Sequence, residues 1–459
     1  MPTIPNSPDI IIEETIDGRP IESEASAEGN SSRRKKRSKS AAEASTAKSD
    51  KYIWGLYIML LIISCIEVFS ASSSQVSGAN VYKPLFDHVK FLALGFVIVL
   101  VFNKIHYKFY KHYATAAFIA CVILLLWSTF KGADINGAKR AIDMKFMTIQ
   151  PPEMMKLAMV LFMAKVMSVN QRPGGVNNKG IIISATIVVL ASAVLWINGL
   201  TNAAMVMMIS IAMFLIGGIE WKKFGIVIGV YLICGGALFL KKYDSGDKKA
   251  ETETTQLVKG EEIKNRADTH EGRLKRFFEG VNANDKITDD NRQVMYSHFA
   301  LANGSMTGQG PGNSRESARL PLAFSDYIYS IIVEDTGFIG GVCLLLLYLC
   351  LLARAGRVAS KCRRAFPAIL IMGCAVMIVL QALVHMSIAV GLGPVSGQPL
   401  PFISKGGTSI IVMSAAIGMM LSISRDATTA KSNRKEMKDE LKQLPEDMLA
   451  DNPTMISGK

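Results

Sequence analysis

Apolar residues fall in long runs along this chain, and short polar connections separate them. Tyr52–Ser72, Gly180–Ile197 and Ala365–Val390 each come close to the roughly 20 residues a helix needs to cross a hydrocarbon core. A core helix of a soluble protein keeps a polar stripe, and these runs have almost none. The pattern predicts ten spans, near 52–72, 84–103, 112–130, 150–168, 180–197, 200–217, 222–241, 326–353, 365–391 and 406–424. The expected fold class is therefore all-α: a polytopic membrane protein with about ten transmembrane helices and one large extracytoplasmic loop.

The polar segments complete this map. Residues 1–50 are rich in Ser, Ala and Glu and poor in aromatics, a composition that cannot bury enough surface to fold. They read as a disordered cytoplasmic tail and not as a cleavable signal peptide, because no apolar core follows the start. Spans one to seven occupy 51–241, a hydrophilic outer segment 242–325, spans eight to ten 326–425, and a second cytoplasmic tail 426–459. With both ends inside, most short-loop cations lie on the inner side, as the positive-inside bias requires. Lys131, Lys139, Arg140 and Lys145 do not; they crowd one outer loop. Within 242–325, Arg273–Phe278 and Val294–Ala302 carry apolar and aromatic residues suited to lying along the membrane surface.

Composition agrees with the pattern. Half the residues are hydrophobic and 19% are charged, against about 25% in soluble domains. The net charge of +13 does not indicate nucleic acid, since the basic residues sit in short loops and not on one folded face. Arg33–Arg37, just before the first span, reads as an anchor on anionic membrane lipid. The seven cysteines and six histidines lack metal-ligand spacing, and the cysteines read as small apolar residues.

Three places carry candidate chemistry. Asp326 stands where the outer segment enters span eight, in Leu320–Tyr329. It is either a helix cap or a boundary carboxylate able to take a proton from an attacking hydroxyl. Glu334 and Asp335 follow about 12 Å deeper along the helix, as a structural pair or as groups facing a wet cavity. The second place is Asn136–Arg140 followed by Thr148–Lys156. Pro151, Pro152 and Glu153 suit a helix start. Glu153 and Lys156 could simply pair, or Lys139, Arg140 and Lys156 could hold a diphosphate through charge-assisted bonds. The third is Gly393–Ser409, whose prolines and glycines forbid a regular span; it is an outer loop or a cavity-lining segment. Asn303–Ser314 is also glycine-rich but lacks a P-loop ending, and reads as a turn-rich connection.

Pro394–Ser409 resembles the P-V-T-G-x-P-L-P-F-I-S-x-G-G-S-S signature of the SEDS family. Asn136–Arg140 with Gln150-Pro151-Pro152-Glu153 and Lys156 is similar to that family's N-G-A-x-R-W and Q-P-S-E-x-x-K. Gly310, Gly312, Asn313, Ser314 and Leu320–Tyr329 match further motifs, as does Ser70–Ser73, and the matches run from about residue 52 to 425. Leu421–Arg425 and the long ends resemble the FtsW branch more than RodA. Leu322 stands where the family usually has Glu, Phe324 where His is frequent, and His385 where Asn is common. Trp196–Asn202 lacks the Asp of a P-D-x-G-T-like motif, Lys405 replaces a frequent Tyr, and Glu67 has no counterpart.

The resemblance implies a peptidoglycan glycosyltransferase that polymerises lipid II into glycan strands at the outer face of the bacterial cytoplasmic membrane, at the division septum. It implies partnership with a class B penicillin-binding protein, the FtsI-type transpeptidase, among divisome proteins. Asp326 takes the position of the essential carboxylate, as general base. Arg140 and Lys156, with Lys139 and Lys405, would steady the diphosphate. Ser404, Gly406, Gly407, Pro399, Pro401, Gln150, Glu153 and Asn313 complete the expected substrate site, and a divalent cation, Mg or Mn, could share the charge. The alternatives are a lipid II flippase, a RodA-like elongation polymerase, and a scaffold that recruits division proteins through its tails.

Overall fold

The computed structural model describes residues 49–73, 83–131, 133–135, 138–144, 147–172, 174–236, 277–278, 286–288, 291–320 and 324–442. The expected N-terminal tail lies outside them apart from its last two residues, Ser49 and Asp50, as does most of 242–290. The helices are α1 (Lys51–Ser73), α2 (Lys83–Lys104), α3 (Tyr107–Lys131), α4 (Pro151–Val169), α5 (Asn178–Asn198), α6 (Leu200–Ile216), α7 (221–236), α8 (Arg292–Gly304), α9 (Ile328–Ala359), α10 (Ala365–Ala389) and α11 (Gly407–Lys442). Over its described residues, every predicted span is helical apart from a residue or two at its ends.

Seven of these helices are long and apolar enough to cross a membrane. The other three predicted spans fall short for visible reasons. α4 carries Glu153, Lys156 and Lys165, while α6 (17 residues) and the described part of α7 are short. α11 runs past the expected end of the last span, to Lys442. α10 and the membrane part of α11 form the centre of the bundle and are mostly buried, whereas α2 and α3 turn most of their surface outward. Lateral exposure of residues such as Phe96, Val97, Ile123 and Trp127 is what an apolar solvent permits.

Two small sheets lie in the connections. β1 (Ala133–Ile135), β2 (Ala138–Met144) and β3 (Met147–Ile149) form an antiparallel meander, with Asp134 opposite Lys139 and Asp143 opposite Thr148. β4 (Gln171–Arg172) and β5 (Gly175–Val176) form a hairpin between α4 and α5. The apolar pattern did not reveal either sheet: β1, β3, β4 and β5 have two or three residues, too short to show a period of two, and the seven residues of β2 do not alternate apolar with polar.

α8, which contains the segment expected to lie along the membrane surface, packs on α9, with Met295, Ser297 and Ala300 buried. Ser297 Oγ sits 2.7 Å from Ser330 Oγ and donates to the Ala389 carbonyl at 2.9 Å. The glycine-rich connection after it crosses a break in α9 at Gly337 (φ 76°). Gln309 N–H and Gly310 N–H donate to the carbonyls of Glu334 and Asp335 at 2.9 and 2.8 Å, and Phe338 N–H donates to Ser305 O at 3.0 Å. Backbone groups released by the kink are thus paired, as the membrane interior demands. Only glycine allows this approach: a Cβ on Gly337 would lie 2.3 Å from Met306 O, and one on Gly308 2.2 Å from Asp335 O.

Candidate active site

α4 starts where its sequence predicts. Pro151 and Pro152 occupy the first turn, where their missing N–H groups lose no helix bond; Glu153 N–H donates to Gln150 O at 3.1 Å, and its carboxylate lies at the positive end of the helix. This end of α4 faces the Gly393–Ser409 segment, an irregular stretch in which Pro399–Ser404 are all buried. Its carbonyls are held from several sides. Tyr348 Oη donates to Pro401 O (2.6 Å) and Ser64 Oγ to Phe402 O (2.8 Å). Phe402 takes a positive φ of 66° with its ring edge-on to Tyr57, centroids 5.4 Å apart. The segment is cavity-lining, not a loose outer loop.

The cavity it lines has a volume of about 340 Å³. Asp326, Ser325, Gln150, Glu153, Pro399, Lys405, Gly406 and Gly407 border it, together with Thr148, Asn202, Gln398, Thr408 and Ser409. Asp326 is half-buried at the entry to α9, and Ser325 Oγ donates to its Oδ1 at 3.2 Å. Gly397, with φ 64°, brings the loop backbone close: a Cβ there would lie 3.6 Å from Asp326 Oδ2. Ser404 sits behind this wall, accepting from Leu400 N–H and donating to Ser325 O, both at 2.7 Å. Lys405 N–H donates to Phe324 O (2.9 Å), and its ammonium lies 5.0 Å from the centre of the Phe324 ring. On the far wall Thr408 Oγ1 donates to Thr148 O (2.7 Å) and accepts from Gln150 N–H (3.2 Å).

Lys156 lies beneath the floor, fully buried. Its ammonium donates to Glu153 Oε1 (2.6 Å), Gln381 Oε1 (2.5 Å) and Gln398 Oε1 (3.2 Å). Gln398 Nε2 in turn donates to Asn202 Oδ1 at 3.0 Å, and Gln381 Nε2 to Pro399 O at 3.0 Å. His385 Nδ1 is 2.7 Å from Gln398 O. One buried cation thus ties α4, α6, α10 and the signature loop together. The simple Glu153–Lys156 pairing is present, and Lys156 is not among the residues bordering the cavity.

The remaining expected site residues fall elsewhere. Pro401 anchors the loop through its carbonyl. Asn313 is exposed and donates to Gln309 O at 3.1 Å, within the glycine-rich turn. Lys139 and Arg140 lie on β2, next to the strand that carries Thr148; their side chains are outside the described residues. Among the described residues Glu334 has no ion-pair partner, and it does not border the cavity. It accepts from Ser314 Oγ, from Arg315 N–H (3.0 Å) and from Asn303 Nδ2 (3.3 Å). Asp335 accepts from Ser70 Oγ, which itself accepts from Gly312 N–H at 2.7 Å. These two acids pin the glycine-rich loop to α9 and α1. Glu67 is buried within electrostatic reach of Asp335.

Sequence reasoning missed Gln398, Thr408 and Gln381, and gave Asn202 no role. Gln398 and Thr408 stand inside the recognised signature, and Gln381 is a polar residue within an apolar span; those were the available signals. Among the described residues, no group of three or more His, Cys, Asp or Glu side chains is arranged to hold a metal ion. The cavity itself offers two carboxylates, Asp326 and Glu153, and Glu153 already holds Lys156. That donor set does not make a resident metal site.

The chain is similar to several known proteins. Stage V sporulation protein E of Bacillus subtilis is 28% identical over 383 residues, covering 80% of this chain and 94% of that protein. The probable peptidoglycan glycosyltransferase FtsW of Haemophilus influenzae is 29% identical over 401 residues, 85% of this chain and 94% of its own. Peptidoglycan glycosyltransferase MrdB of Escherichia coli is 25% identical over 374 residues, 80% and 91%. Among solved structures, a chain of a peptidoglycan synthase complex matches with a TM-score of 0.63 at 21% identity, covering 83% of this chain and 98% of that one. Thermus thermophilus rod shape determining protein RodA matches at 0.55 and 22% identity, covering 82% and 97%. The family model for the FtsW, RodA and SpoVE cell cycle proteins matches residues 50–429, and the chain is a member of that family of integral membrane proteins.

Proposed function

We propose that the protein is a peptidoglycan glycosyltransferase that polymerises lipid II, with Asp326 as general base. One observation carries the reading: Asp326 shares a cavity with Glu153, Lys405 and the signature loop. Relatives named as peptidoglycan glycosyltransferases support it.

In this mechanism Asp326 accepts the proton of the acceptor sugar's C4 hydroxyl. The oxygen forms a bond to the donor's anomeric carbon with inversion, and the bond from that carbon to the diphosphate oxygen breaks. The lipid diphosphate leaves with the electron pair. Lys405 stands at the cavity edge, where a preorganised cation favours the developing negative charge; Arg140, on the neighbouring strand, is assigned the same task. Lys156 acts from below by orienting Glu153 and Gln398. At about 340 Å³ the cavity is near the small end of ligand sites, roughly 300–1,000 Å³, and suits a sugar and its diphosphate, not an entire lipid.

The same reading places the cavity on the outer face of the cytoplasmic membrane, with both ends of the chain inside and the protein at the septum. A chain of a peptidoglycan synthase complex that coordinates polymerisation and cross-linking shares the fold, which supports a class B penicillin-binding protein as partner. Proteoliposomes containing lipid II and that partner separate enzyme from flippase. Glycan strands support the enzyme, whereas translocation of lipid II without strands supports the transporter.

A further inference from the structure

A second cavity, of about 600 Å³, lies between α5 and α7. Its walls are apolar, and Ile182, Leu190, Ile226 and Val230 leave much of their surface open to the outside of the bundle. It belongs to the opposite membrane face from Asp326. α4 starts at the candidate active site and ends at Val169, and α5 starts after the β4–β5 hairpin that follows.

Its two ends differ in chemistry. α5 and α7 run parallel, because α6 returns the chain between them, so both helix starts lie at one mouth. There Asn178 and Lys223 line the groove, and Lys179 and Lys222 are their exposed neighbours. Glu220 is the acid of this mouth and pairs with Lys223 at 2.8 Å. Three lysines, one glutamate and two positive helix ends leave a net positive mouth. Trp221, 79% exposed, is placed as interfacial tryptophans are.

The lining continues inward to Leu190 on α5 and Cys234 on α7, about 17 Å at 1.5 Å per residue. That is close to half of a hydrocarbon core about 30 Å thick. The groove is one leaflet deep, apolar along its length and cationic at its mouth.

We infer that the α5–α7 groove binds one anionic phospholipid of the leaflet opposite the Asp326 site. An acyl chain lies along Ile182, Val189, Ile226 and Val230, and the phosphate sits among Lys179, Lys222 and Lys223. This inference needs only the transmembrane reading and stands apart from the proposed activity.

The test is native mass spectrometry of the full chain after reconstitution in phosphatidylcholine, with or without phosphatidylglycerol. The expected result is one phosphatidylglycerol retained per chain in preference to phosphatidylcholine. Retention falls about fivefold for each lysine replaced by alanine, following the rough worth of one basic residue at an anionic surface. Thr186→Trp, which projects a large ring into the groove from an exposed position, abolishes retention without altering charge. Equal retention of both lipids, or undiminished retention in Lys179→Ala/Lys222→Ala/Lys223→Ala or in Thr186→Trp, overturns the inference. So does finding a polyprenyl lipid or a partner helix in the groove instead.

Discussion

Lys156 and Glu153 meet at 2.6 Å with neither side chain open to solvent. A pair so placed depends on both partners, because removing one strands the other as an uncompensated buried charge. Lys156→Met should lower stability by about 3–5 kcal/mol, read as a loss of thermal stability in detergent. Lys156→Met/Glu153→Gln should recover part of that loss while remaining inactive. If Lys156→Met alone unfolds no earlier than the parent, the pair is not a structural centre.

Gly397 combines a left-handed backbone with a close approach to Asp326 Oδ2. A methyl group fits there at ordinary contact distance, so Gly397→Ala meets mainly the backbone penalty, about 1–2 kcal/mol. Gly397→Val adds branching against the acid. Strand synthesis should fall in the order Gly, Ala, Val, with expression of the alanine variant close to the parent's. Equal rates in all three would separate the loop from the acid.

The crossing of Gly308 and Gly337 leaves no room for a Cβ on either residue, since the atoms it would meet are backbone. Gly308→Ala and Gly337→Ala should each fail to yield folded protein, or melt far below the parent. Gly356→Ala is the control. There the nearest neighbour is Met372 Sδ at 3.9 Å, and helix propensity makes the change neutral or slightly stabilising.

Asp50 anchors the start of α1 to Arg354 near the end of α9, through bonds of 2.5 to 3.0 Å. Burial pushes its carboxyl upward, but the Arg354 guanidinium and the N–H groups of Ile53 and Tyr52 more than offset this and hold it below the ordinary carboxylate value. A depressed acid contributes stability above its unfolded pKa and loses it as pH falls through the folded one. The parent should therefore exceed Asp50→Asn in stability at neutral pH by about 1.5–3 kcal/mol. The two should converge as pH drops below the carboxylate range. A gap independent of pH would assign the effect to packing.

The membrane fold was legible because its signal is local: a run of apolar residues needs no partner to be recognised. The candidate site was legible where a motif is contiguous: Pro394–Ser409 and the stretch around Asp326 come together at one cavity. What remained hidden depends on distance along the chain. Lys156 and Gln381 are 225 residues apart, and Gln398 and Asn202 are 196 apart, so no spacing rule connects them. For the same reason Lys156 reads as a phosphate-binding cation in sequence, although the structure buries it under the floor. Glu334 and Asp335 read equally as a structural pair or as cavity groups until the loop at Asn303–Glu316 is seen resting on them. The kink at Gly337 could not be read from one glycine in an apolar helix.

The most direct measurement is the rate of glycan strand formation by purified Asp326→Asn, with lipid II and the proposed penicillin-binding protein partner present. The variant keeps the shape of the side chain and removes its ability to take a proton. The account predicts strand synthesis reduced at least a hundredfold, the lower range for loss of a general base, with an unchanged melting temperature. Synthesis at the parent rate by a folded Asp326→Asn protein would contradict it.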